Sequence, residues 1–199
     1  VNMYGGNVLT TELHDGTKIR LEQTTEYPWN GKILITIKEA TDKPVNIYLR
    51  IPEWSKSYSL KINNAYPKQR DRDGGYVIAG RKWKAGDKIE LILDMPATLI
   101  ESNPLVEETR NQVTVKRGPI VYCLESNDLP QQKVVDVVIP ANIKLQQVAM
   151  KIAGGNVMAL TGEAKLLDQN QWNNTLYKEV NTKLKPVTIK LIPYYAWAN

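Results

Sequence analysis

The strongest constraint on the fold is an apolar–polar alternation with period two. KILITIK (32–38) puts Ile33, Ile35 and Ile37 on a common side, which an extended strand does because successive side chains point to opposite faces. VNIYLRI (45–51) sets Val45, Ile47, Leu49 and Ile51 against Asn46, Tyr48 and Arg50. YSLKIN (58–63), YVIAG (76–80), KIELILDM (88–95), QVTVKRGPIVYCLE (112–125), KVVDVVI (133–139), NVMALTG (156–162) and PVTIKLI (186–192) continue the rhythm. Turn chemistry separates the runs: HDGT (14–17), WNGK (29–32), DRDGG (71–75), KAGDK (84–88) and AGGN (153–156). Asp15-Gly16 and Asn30-Gly31 are hairpin signals. Helical patterns are scarce: PLVEETRNQ (104–112) holds a turn or two, and GEAKLLDQNQW (162–172) reads as one short helix. The expected fold is all-β, an antiparallel β-sandwich of jelly-roll-like form followed by a second, smaller β-sandwich module.

The polar stretch SNDLPQQK (126–133), with Pro130, breaks the strand rhythm. It predicts a sandwich over 1–125 and a smaller β module over 126–199. The alternative is one sandwich with a long inserted excursion.

Charge and composition exclude several function classes. The net charge is +5, so a nucleic-acid surface must be weighed. From Ala141 onward, seven Lys and no Arg face three acids. Those Lys stand singly among Val, Leu, Asn and Thr, as on a solvated face with guarded strand edges, so no nucleic-acid partner is expected. No apolar run approaches the roughly 18 residues of a membrane span, so no membrane partner is expected either. One cysteine excludes an internal disulfide and a cysteine-based zinc site, and one histidine, His14, excludes a multi-histidine metal site.

Candidate chemistry is thin. Cys123 lies two residues from Glu125 in GPIVYCLE, on the face opposite Ile120, Tyr122 and Leu124. A catalytic thiol needs an activating cation, histidine or helix N-terminus, and a lone cysteine flanked by apolar residues reads as a small core residue. Glu107-Glu108 and Asp71/Asp73 are the nearest carboxylate pairs, but adjacent residues such as Glu107 and Glu108 point apart on a strand and neither pair sits in an acid/base motif. DRDGG reads as a turn rather than half of a calcium loop. Thr10-Thr11 near Glu12 and His14 lacks a serine and reads as a strand entering a hairpin. No catalytic residue and no metal ligand is therefore assigned.

The aromatic residues are five Trp and ten Tyr, with no Phe. Trp29 follows Pro28, Trp54 lies in RIPEWS, Trp83 in GRKWKAGD and Trp197 in YYAWAN. A flat ring on a loop stacks on a sugar or covers a neighbouring domain. These four are the candidates for carbohydrate contact or domain docking, with core plugging the plain alternative for each.

The blocks YPWNG, RIPEW, GRKWKAGD, RGPIVYCLE and IPYYAWAN, in that order and spread over the whole chain, resemble the C-terminal part of glycoside hydrolase family 127. The founding activity of that family is β-L-arabinofuranosidase. The resemblance implies an (α/α)6 barrel followed by two β-sandwich domains, with a cysteine nucleophile, a glutamate and a zinc ion on the barrel. This sequence has no barrel, and Cys123 does not match the cysteine-rich catalytic motif, so no catalytic or zinc residue carries over. The resemblance thus implies a non-catalytic sandwich region with no cofactor of its own. Its partners would be the N-terminal barrel of the same chain, a plant-derived oligosaccharide and a second copy in a homodimer. The alternative is an autonomous carbohydrate-binding module. A bacterial cytoplasmic or periplasmic protein is implied. Family chains run on past the position of Asn199 with an Arg-Gly pair and a short Trp-containing strand, so an unfinished sheet edge is expected.

Overall fold

The structure, a computed structural model, describes residues 1–68, 71–129, 133–172, 175–181 and 183–197. Among these residues it is built of antiparallel sheets, with short 3-10 turns as the helical segments between strands. The chain divides into two units, Val1–Pro96 and Ala97–Asn199.

Among the described residues the first unit holds eight strands: β1 (Asn7–Glu12), β2 (Lys18–Thr25), β3 (Lys32–Ala40), β4 (Pro44–Arg50), β5 (Tyr58–Ile62), β6 (Asp71–Asp73), β7 (Tyr76–Lys82) and β8 (Lys88–Leu93). Five form one sheet in the order β1-β2-β3-β8-β5, and three form another in the order β4-β7-β6. The alternation read from the sequence sets the core between them. Ile33, Ile35 and Ile37 from β3, Leu49 from β4, Leu60 from β5, Val77 from β7 and Ile89 and Leu91 from β8 are fully buried in one cluster. Each such aliphatic side chain contributes about 1.5–3 kcal/mol relative to exposure.

The Asp15-Gly16 signal does its expected work, whereas Gly31 ends a longer β2–β3 connection and serves packing instead. Gly16 has φ +78° beside Asp15, whose Oδ1 accepts the Thr17 amide at 2.9 Å, an Asx turn joining β1 to β2. Gly31 is required by space: a Cβ there would lie 2.0 Å from the Leu93 carbonyl oxygen, where the strands approach and the Leu93 amide bonds the Gly31 carbonyl at 2.9 Å.

The second unit holds β9 (Ala97–Ile100), β10 (Thr114–Arg117), β11 (Ile120–Leu124), β12 (Val137–Val138), β13 (Gln146–Ile152), β14 (Gly155–Leu167) and β15 (Leu184–Pro193). They form a single sheet in the order β12-β14-β15-β11-β10-β9, with β13 also on β14. The long β14 makes this possible: its first half pairs with β13, and its second half with β15 and β12. Val115, Ile120, Tyr122, Val157, Leu160, Ile189 and Leu191 are buried.

Four sequence expectations change. The seam falls after Pro96 rather than after Glu125, because β9, β10 and β11 hydrogen-bond into the sheet of β15 and so belong to the second unit. That unit is therefore no smaller than the first. Part of SNDLPQQK (Pro130, Gln131 and Gln132) lies outside the described residues. The run 112–125 is a hairpin, not one strand: Arg117 pairs with Ile120 across Gly118, whose φ is +57°. The helix expected over 162–172 is mostly strand, since Glu163 to Leu167 pair with Leu184 to Thr188. Only Gln169–Trp172 turns as a 3-10 helix. KVVDVVI is likewise a 3-10 turn, Val134–Asp136, followed by the two residues of β12.

Candidate functional surface

The four candidate tryptophans are not gathered into one site. Trp83 is 2% exposed, in the core cluster of the first unit, and its indole N–H donates to the buried Val45 carbonyl at 2.8 Å. It fills the core and cannot reach a ligand or a docked domain, which corrects its candidacy. Trp54 is half-buried against the same core. Its ring stacks on Tyr27 at 6.4 Å and 22°, and Tyr27 meets Tyr4 edge-on at 5.9 Å. Trp29 is half-buried on the turn after the cis Tyr27–Pro28 peptide. Trp197, in the second unit, is 55% exposed and stacks on Tyr194 at 5.9 Å and 12°.

Strand β11 decides the status of Cys123. The thiol is half-buried, pairs through its backbone with Ile192, and is pushed above its ordinary value by burial and by the Glu125 charge. Both effects disfavour the thiolate, the reverse of nucleophile activation. Among the described residues no group of three or more His, Cys, Asp and Glu side chains converges to hold a metal ion. The zinc ion implied by the family resemblance therefore has no fitting donor set here. Glu107 and Glu108 sit exposed on a 3-10 turn, Glu107 with Arg110 at 4.0 Å. The side chain of Asp71 lies outside the described residues.

The opposite face of β11 carries what the sequence reading passed over. Val115 and Tyr122 are register partners, as are Arg117 and Ile120, so Arg117 and Tyr122 are diagonal neighbours on one face. Both are buried. Burial pulls the Arg117 guanidinium down and pushes the Tyr122 phenol up, and each opposes the other's shift as a facing partner. Beyond them stand the exposed rings of Tyr194 and Tyr195, at the end of β15, whose Pro193 pairs with Tyr122.

Tyr122 is also one wall of a cavity of about 680 Å3, lined further by Val115, Leu124, Val135, Val138 and Leu191. Val135 is 80% exposed at its mouth. The signal that could have exposed this site was the Arg117-to-Tyr122 spacing across a Gly-Pro turn. KVVDVVI hid the rest, because four valines read as strand when the first two lie on a 3-10 turn. An apolar cavity, a buried guanidinium and the exposed rings of Tyr194, Tyr195 and Trp197 can bind or pack against a surface. They supply no nucleophile with a paired base.

Comparison with known proteins gives this surface its context. Residues 1–95 match the family model "Beta-L-arabinofuranosidase, GH127 middle domain", and residues 97–199 match "Glycoside hydrolase family 127 C-terminal domain". The chain belongs to glycoside hydrolase family 127. The boundary between the two matches coincides with the division of the structure after Pro96. A "Non-reducing end beta-L-arabinofuranosidase" of Bifidobacterium longum subsp. longum is 32% identical over 96% of the chain, which covers 30% of that relative. A solved structure called a glycoside hydrolase matches with a TM-score of 0.89 at 42% identity, over 99% of this chain and 33% of that one. A GH127 β-L-arabinofuranosidase from Geobacillus stearothermophilus T6 matches with a TM-score of 0.89 at 32% identity, over 99% and 31% respectively. The chain thus spans about a third of the length of these family 127 relatives.

Proposed function

We propose that residues 1–199 are a non-catalytic part of a β-L-arabinofuranosidase-like family 127 enzyme, one that packs on and supports a catalytic (α/α)6 barrel. The observation that carries this reading is the pair of matches, to the middle and C-terminal domains, over about a third of the relatives' length. The suppressed thiol of Cys123 agrees with it. The zinc ion and nucleophile implied for the family would be held by the barrel.

The exposed rings of Tyr194, Tyr195 and Trp197 in the second unit, together with Val135 at the cavity mouth, are the candidate packing surface. Large apolar and aromatic side chains exposed together mark interaction surfaces. Val135→Asp tests it. In the isolated chain the substitution places a charge on an already exposed position and should change stability by less than about 0.5 kcal/mol. In the whole enzyme it should loosen the barrel and lower activity. Unchanged activity and unchanged thermal stability of the whole enzyme would rule this face out.

A further inference from the structure

The first unit carries a sheet edge that the packing surface of the second unit does not use. Among the described residues β4 is the last strand of its sheet, paired with β7 on one side. On that inner side the Ile51 amide, just past the strand, bonds the Gly75 carbonyl at 2.7 Å. Backbone hydrogen-bonding groups alternate sides along a strand, so those of Asn46, Tyr48 and Arg50 point to the outer edge. Val1 lies along the end of that edge. Its amine donates to the Tyr48 carbonyl, and its carbonyl accepts the Arg50 amide at 3.1 Å. The two bonds bracket Leu49, which is the slanted pattern of a parallel ladder. The Val1 side chain packs on the core of the first unit. Two tyrosines hold the start of the chain in place: the Tyr4 hydroxyl donates to the Arg50 carbonyl at 2.5 Å, and the Tyr76 hydroxyl donates to Oδ1 of Asn2 at 2.9 Å.

This geometry belongs to the inside of a strand rather than to its end. Burial pulls the Val1 ammonium below its ordinary 8.0, because the charge loses hydration there. A peptide N–H in the same place makes the same bond with no charge to desolvate. The edge beyond Val1 is also unguarded: Asn46 and Tyr48 are uncharged, and the first obstacle is Pro44, which has no amide to offer. Residues 1–95 match a middle domain, and under the proposed function further polypeptide precedes Val1.

We propose that the outer edge of β4 is the docking site for the segment immediately preceding Val1, which adds to the β4-β7-β6 sheet as a parallel strand. The ladder runs on in steps of two residues. The residue two before Val1 lies beside Ile47, its carbonyl accepting the Tyr48 amide and its amide donating to the Asn46 carbonyl. The residue four before Val1 lies beside Val45, its carbonyl accepting the Asn46 amide, and Pro44 ends the ladder. Val1 faces the core, so these two positions carry apolar side chains and the positions between them face solvent. The inference rests on the proposed function only in placing polypeptide before Val1, and it needs no contact with the barrel.

The test is amide hydrogen exchange on residues 1–199, on the same chain extended by the short segment that precedes Val1, and on the whole enzyme. The Asn46 and Tyr48 amides should exchange near the free-peptide rate in residues 1–199 and at least about 100-fold more slowly in the other two. The Ile51 amide, on the other side of the strand, should change by less than about threefold, which shows the first unit equally folded in all three. In the extended chain Val1→Pro removes the amide that meets the Tyr48 carbonyl and should return most of the exchange at Tyr48, whereas Val1→Ala keeps the ladder and should retain most of the slowing. Slow exchange at Tyr48 already in residues 1–199 would show the edge covered without the segment and overturn the proposal. Slowing in the whole enzyme alone would assign the edge to the barrel and overturn it too, as would equal exchange in all three. None of these outcomes bears on the packing surface, which Val135→Asp tests in the other unit.

Discussion

Trp83→Ala separates a core role from a ligand-contacting one. The side chain is 2% exposed and holds the Val45 carbonyl at 2.8 Å. Deleting a buried tryptophan removes transfer energy and leaves a cavity, which costs about 3–5 kcal/mol. Trp83→Phe keeps most of the volume but leaves a buried carbonyl without its donor, at about 1–3 kcal/mol. The chain has two units, so global unfolding is a poor reporter. Hydrogen exchange of β4 and β7 amides reads the opening of the first unit directly. At about 1.4 kcal/mol per tenfold, Trp83→Ala should lower protection there by about 100- to 4,000-fold, and Trp83→Phe by less. Trp197→Ala removes one exposed stacked pair worth up to about 1.5 kcal/mol and should leave β4 and β7 unchanged. Protection in β4 and β7 within about fivefold of the wild type after Trp83→Ala, a change of about 1 kcal/mol, would refute the assignment of Trp83 to the core.

Other predictions rest on single contacts. Gly31→Ala puts a methyl 2.0 Å from the Leu93 carbonyl and should cost at least about 1–3 kcal/mol as overpacking, read as loss of exchange protection at the Leu93 amide; a neutral result would mean the strands part freely there. The Cys123 thiol should alkylate with a pH midpoint above its ordinary 9.0, and Glu125→Gln should move that midpoint down; a midpoint near neutrality would reopen the case for a reactive thiol. The Asp15 carboxyl is held below its ordinary 3.8, first by its hydrogen bonds from Thr17 and then by Lys43. Its folded value is depressed, so its contribution to the β1–β2 turn is present above the unfolded value and lost as pH falls through the folded one. An NMR titration of the carboxyl should show the low midpoint, and a midpoint at 3.8 or above would contradict it.

What the sequence revealed and concealed follows from which forces are local. KILITIK could be read because a strand with one buried face needs period-two alternation, and Ile33, Ile35 and Ile37 are all buried. HDGT and DRDGG could be read because positive φ at Gly16 and Gly74 is a local demand. The seam after Pro96 was hidden because only long-range pairing, such as Cys123 with Ile192, ties β11 to the second unit. GEAKLLDQNQW misled because its Ala, Lys and Leu favour helix, while the ladder from Glu163 to Leu167 with β15 overrides that preference. The face built by Arg117, Tyr122 and Tyr195 was equally out of reach, since its members come together only through β-sheet register. Trp83 shows the same limit from the other side: a loop-like GRKWKAGD setting does not reveal that the indole turns inward.

Residues 1–199 belong to glycoside hydrolase family 127, and under the proposed function the chemistry is performed elsewhere in the polypeptide. The direct measurement is hydrolysis of an aryl β-L-arabinofuranoside by this chain alone and by the enzyme that includes the barrel. The account predicts no turnover above the buffer rate for the chain alone and clear turnover for the whole enzyme. Turnover by residues 1–199 that survives Cys123→Ala would contradict the claim outright, as would turnover abolished by that substitution, because either would place the chemistry in the sandwiches.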